Sequence, residues 1–141
     1  MREFLFRAKK YEKSVFDETD WVYGSLIDSG NHEHVFIFPW INGASTMPVG
    51  KLVYANMETV NPETIGQFTG LMDKKGKCIF KGDIVRYMDK NIMVVVWNKE
   101  SASFACAYST ENFNYCATMI NSHMYLEVIG NIYDNPELLE G

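Results

Sequence analysis

Between Gly66 and Trp97 three tight polar turns cut the chain into apolar segments too short for helices. The turns are Asp73-Lys74-Lys75-Gly76-Lys77, Lys81-Gly82-Asp83 and Asp89-Lys90-Asn91. They separate Phe68–Leu71, Cys78–Phe80, Ile84–Met88 and Ile92–Trp97. A helix needs roughly 10–12 residues to present a periodic face. Apolar runs of this length, rich in β-branched and aromatic residues, are therefore strands joined by hairpins. Gly76 supplies a positive φ where that is cheap. Gly82 makes a corner, Asp83 caps it, and Ile84 and Val85 follow as core residues.

The pattern continues to the C-terminus. Ser103–Ser109, Phe113–Ile120 and Tyr125–Tyr133 read as further strands between polar breaks, and Asn135-Pro136-Glu137 opens a short helical turn with Asn135 as cap. Short strands at this spacing predict a small SH3-like barrel or roll over 66–141, since closing the sheet removes exposed edges. Trp97, ending an apolar strand, is expected in its core.

The first half, 1–65, also reads as β. Strands are expected over Phe4–Ala8, Trp21–Ile27 and His34–Phe38, the last stopping at Pro39, which cannot donate to a ladder. Residues 40–50 contain Asn42-Gly43 and Pro48 and read as a variable inserted loop; Lys51–Met57 reads as strand-like. Asn61-Pro62-Glu63-Thr64 predicts one turn of helix or 3₁₀, with Asn61 as cap and Pro62 at its first position. The expected fold is mostly β. An N-terminal β subdomain packs with a C-terminal SH3-like barrel, and only short helical turns interrupt the strands.

Four blocks, in order, carry a family resemblance. They are Arg2-Glu3-Phe4-Leu5-Phe6-Arg7 with Trp21–Ile27, Val60–Leu71, Asp73–Val85, and Leu126–Leu139. Together they resemble the YopX family of bacteriophage and prophage proteins. The resemblance implies a mostly β protein with an SH3-like barrel, and it carries over no catalytic or cofactor-binding residues. Met72 stands where the family often has Lys, and Phe68 where it often has Tyr. Residues 32–55 are the least family-like.

The remaining signals bound the function. No stretch approaches the roughly 20 apolar residues that span a bilayer. Arg2 and Glu3 interrupt the N-terminus before any apolar region, so neither a membrane anchor nor a signal peptide is expected, and the expected compartment is the host-cell cytoplasm. Cys78, Cys106 and Cys116 form no C-x-x-C pair, and Cys106 and Cys116, among Ala, Phe and Tyr, read as buried small hydrophobes. His32 and His34 share one strand face and would need Asp28, Glu58 or His123 to complete a metal site, which nothing in the spacing requires; no metal and no cofactor is expected. Gly66-Gln67-Phe68-Thr69-Gly70 is neither a P-loop nor a dinucleotide fingerprint, and no Gly-x-Ser-x-Gly elbow occurs. The expected role is a non-enzymatic one, binding a protein partner or a second copy of itself. The net charge of −5 disfavours a general nucleic-acid binder. The alternative is nucleic-acid binding on the barrel face through Lys74, Lys75, Lys77 and Arg86. Trp40, Gln67 and Thr69 complete the candidate contacts.

Overall fold

The computed structural model describes residues 5–12, 19–30, 35–39, 48–110, 117–118 and 123–140. Contacts divide the chain into two units, one ending at Gln67 and the other beginning at Phe68. The expected division fell after residue 65.

In the N-terminal unit β1 (Phe6–Lys9), β2 (Trp21–Asp28) and β3 (Val35–Pro39) form an antiparallel meander. Alternation places Ala8, Val22, Val35 and Ile37 on one face, where they bury against Val60. On the opposite face the Arg7 guanidinium lies 4.8 Å from the centre of the Trp21 ring. Pro39 is the last residue of β3 and pairs with Gly24, so the strand runs one residue further than expected.

Helix α1 (Val49–Asn56) corrects the strand expected over Lys51–Met57. Leu52, Val53, Asn56 and Met57 are half-buried while Lys51, Tyr54 and Ala55 are exposed, a spacing with helical rather than twofold period. Pro48 stands at its N-cap. The expected loop over 40–50 gives way to helix at Val49, and residues 40–47 lie outside the described residues. After α1, β4 (Glu58–Thr59) pairs with β3. The 3₁₀ turn Pro62–Thr64 forms where expected, with Asn61 Oδ1 accepting the Glu63 N–H at 3.1 Å.

Strand β5 (Gly66–Met72) belongs to both units. Gly66 and Gln67 pair with β1, whereas Phe68 and Met72 pair with β6 (Cys78–Phe80). A second sheet of the C-terminal unit runs through β7 (Asp83–Tyr87), β8 (Asn91–Asn98), β9 (Ser103–Ala107) and β10 (Ala117–Thr118), with β7/β8, β8/β9 and β9/β10 paired antiparallel. The last strand, β11 (Leu126–Asn131), returns beside β7, giving the order β10-β9-β8-β7-β11. Of the strand expected over Phe113–Ile120, only residues 117–118 are described.

The central strand β8 is buried on both sides, which explains its unbroken aliphatic run. Met93 and Val95 join Ile79, Val85, Cys106 and Leu126 in one cluster. Val94 and Val96 join Ala105 and Ala107 in another, covered by Ile132 and by Leu139 of the 3₁₀ turn Pro136–Leu139. Burying a side chain of this size contributes about 1.5–3 kcal/mol. Trp97 is not in this core. It is 38% exposed, beyond the last buried residue of β8, and meets the edge of its cross-strand partner Phe104 with ring centres 5.0 Å apart. Asn135 likewise departs from its expected capping role: its side-chain oxygen accepts the Asn131 N–H at 3.2 Å instead.

Candidate interaction surface

The turn between β5 and β6 is organised by one carboxylate. Asp73 is buried, and its Oδ1 accepts the N–H groups of Lys75 and Lys77, both at 2.9 Å. Oδ2 accepts the Val128 N–H at 2.9 Å, and the Lys74 N–H reaches the Leu126 carbonyl at 2.9 Å. The turn is thereby fixed along the outer edge of β11, whose backbone groups would otherwise be open to another strand. Burial pushes the Asp73 carboxyl up, but the N–H groups of Val128, Lys77 and Lys75 together with the Lys77 charge prevail, and its pKa is lowered.

Side chains from the turn meet the outward faces of β7 and β11. Arg86 and Glu127 are directly opposed across the two strands. The Glu127 carboxylate lies 2.8 Å from Lys75 Nζ, 3.6 Å from Arg86 Nη1 and 3.9 Å from Lys74 Nζ. Lys74 also reaches Asp89 at 3.2 Å. The Lys75 hydrogen bond is the main cause that lowers the Glu127 pKa and raises that of Lys75.

Four exposed apolar residues lie on neighbouring backbone close by in the sequence. Met72, Met88, Met124 and Tyr125 are 51%, 57%, 60% and 49% exposed. Backbone and ring contacts gather them: His123 Nδ1 is hydrogen-bonded to the Met72 carbonyl at 3.0 Å, and the Met88 N–H donates to the Tyr125 carbonyl at 3.2 Å. The Tyr125 ring meets Tyr87 edge-on, with centres 6.3 Å apart. Met88 and Asp89 both have positive φ, 50° and 62°, and the Lys90 N–H closes the turn onto the Tyr87 carbonyl. Two positive-φ residues closed by this hydrogen bond follow the φ pattern of a type I′ turn, set in the three-residue loop between the paired Tyr87 and Asn91, and such positions favour Asn and Gly.

A family model described as YopX protein matches residues 5–140. The chain belongs to the YopX family. No curated protein matches it.

Of the residues that sequence reasoning singled out in this YopX chain, Lys74, Lys75 and Arg86 are brought together on Glu127. Lys77 lies near Asp73, at the other end of the same turn. Thr69 is used within the fold: its hydroxyl donates to the Ile79 carbonyl at 2.8 Å and accepts the Leu71 N–H at 3.2 Å. Gln67 pairs with Phe6 in the N-terminal unit. Trp40, His32, His34 and Cys116 lie outside the described residues. An open cleft of about 460 Å³ in the N-terminal unit sets Glu12 and Glu58 beside Tyr11, Met57 and Thr59. Among the described residues no three His, Cys, Asp or Glu side chains are grouped to hold a metal. No described helix is long and apolar enough to cross a membrane.

Sequence reading missed the methionine surface. Eight methionines scattered along the chain resemble gap-fillers, and only the fold shows which are exposed together. No local signal marked it: Met88 ends the apolar run Ile84–Met88 and reads as strand, whereas β7 stops at Tyr87 and Met88 opens the turn.

Proposed function

We propose that this chain is a non-enzymatic protein-interaction module, acting in the cytoplasm of a phage-carrying cell, and that Met72, Met88, Met124 and Tyr125 form its contact surface. The observation that carries this reading is the gathering of four large, exposed apolar side chains at one end of the C-terminal unit. Single exposed apolar residues are ordinary on protein surfaces, whereas contiguous patches mark interaction sites. Methionine suits such a surface because its flexible thioether adapts to different partners. The strand order supports an SH3-like reading of the rigid unit that presents it.

The alternative reading, nucleic-acid binding through Lys74, Lys75, Lys77 and Arg86, has less support. Three of those cations already share Glu127, which a phosphate would have to displace.

The test compares tagged wild-type chain with Met124→Ser in affinity capture from phage-infected cells, with light scattering of both proteins. The expected result is a partner, or a second copy, retained by the wild type and lost with the substitution. Equal recovery by both proteins, with an unchanged oligomeric state, overturns the reading.

A further inference from the structure

We infer that the occupant of this surface is an acidic peptide segment, its apolar side chains on Met72, Met88, Met124 and Tyr125 and its carboxylates on Lys74, Lys75 and Arg86. The inference rests on the interaction-module reading and adds the chemistry of the partner.

Charge complementarity argues for an acidic occupant. The chain as a whole carries −5, yet between Asp73 and Lys90 six Lys and Arg residues stand against three Asp. Two of those Asp are buried and engaged by the fold: Asp73 by three backbone N–H groups, and Asp83 by the Phe80 N–H at 2.8 Å. Lys74, Lys75 and Arg86 share Glu127, and Lys74 also reaches the third Asp, the exposed Asp89. Two carboxylates leave one of the three cations unbalanced, so a further carboxylate arriving there is attracted.

The mode of binding follows from the backbone. The Asp73 turn occupies the outer edge of β11 through Leu126 and Val128, so a peptide is not added there as a further strand. It meets side chains instead. Met88 is the residue that points to use of this surface. A left-handed backbone suits Asn or Gly, and Met holds that position while its side chain stays largely exposed. The fold gains little from Met88 in return, which is expected where a side chain serves a partner. Methionines also accept irregular apolar side chains, whereas unpaired bases favour aromatic stacking platforms.

The experiment titrates the full-length chain into a short fluorescein-labelled peptide in which Glu and Asp alternate with Leu and Phe, at about 0.05 M and about 0.3 M salt. Saturable binding is expected, weaker at the higher salt. Met88→Asn should weaken it about tenfold without lowering the melting temperature, because Asn suits the turn. Met124→Ser gives a second reading at an equally exposed position. Lys75→Glu should weaken binding, and Glu127→Gln, which releases three cations from their shared carboxylate, should tighten it. A Lys-for-Glu/Asp version of the peptide binding equally well overturns the acidic assignment while leaving the interaction module standing. A single-stranded oligonucleotide that binds more tightly than the peptide, and more tightly still to Glu127→Gln, assigns the surface to nucleic acid and overturns both. Failure of the wild type to bind the acidic peptide overturns the inference alone; the module reading is then decided by the capture experiment.

Discussion

Asp73 joins two parts of the C-terminal unit with its two oxygens. Oδ1 closes its own turn and Oδ2 holds that turn against β11. Asn in its place keeps the shape but offers an NH₂ group where N–H donors already point. One buried donor then loses its acceptor, and the loss is about 1–3 kcal/mol. Urea denaturation at pH 7 should show Asp73→Asn destabilised by that amount. The pH dependence has a definite sign. The folded pKa of Asp73 lies below its ordinary value of 3.8. Its contribution is therefore fully present above that ordinary value and is lost as pH falls through the lower folded one. The gap between wild type and Asp73→Asn should be constant near neutrality and close in acid below about pH 4. A gap that stays constant through that range would show that the charge of Asp73 is not what holds the turn.

At the level of elements, β3 leaves no room for a side chain at Gly24 of β2. A Cβ built there collides with the Phe38 carbonyl, and Pro39 Cα lies 2.8 Å away. Both are backbone, so neither can swing aside. Gly24→Ala should cost about 1–3 kcal/mol, as overpacking does elsewhere, and should speed amide exchange along β2 and β3. Gly50 in α1 is the counterpart: a Cβ there meets nothing within 4 Å. Gly50→Ala should stabilise the chain by up to about 1 kcal/mol, by removing freedom from the unfolded state. A destabilised Gly50→Ala would contradict the helix. The turns carried their own chemistry: Asn61-Pro62 made its 3₁₀ turn, and Gly82-Asp83 made its corner with φ of +92° at Gly82. Helix α1 was not legible because Leu52-Val53-Tyr54 is as apolar and β-prone as a strand, and only the burial of Asn56 and Met57 reveals the helical period. Trp97 was misplaced for a related reason. Its neighbours are core, but the buried span of β8 stops one residue earlier.

Over the whole molecule, charge is where sequence and structure differ most in what they convey about the site. Lys74, Lys75 and Lys77 stand together in the sequence, and with Arg86 they are its candidate nucleic-acid contacts. The pairing of Lys74, Lys75 and Arg86 with Glu127 depends on a strand more than forty residues after Arg86 returning beside β7, which no local pattern encodes. That pairing changes the expected behaviour. Phosphate binding draws its free energy from cations that release condensed counterions, and on single strands the logarithm of affinity falls with the logarithm of salt by about 0.7 for each phosphate engaged. Here the cations are partly neutralised in place, and the chain around them carries a net charge of −5. A fluorescein-labelled single-stranded oligonucleotide should therefore show no saturable change in anisotropy at about 0.15 M salt, where exposed charges are screened beyond about 8 Å. At about 0.02 M salt any binding should be weak, and Lys75→Glu should abolish it. Submicromolar affinity at the higher salt, with a slope corresponding to several phosphates, would mean that the carboxylates yield to phosphate, and the basic cluster would then be the functional surface.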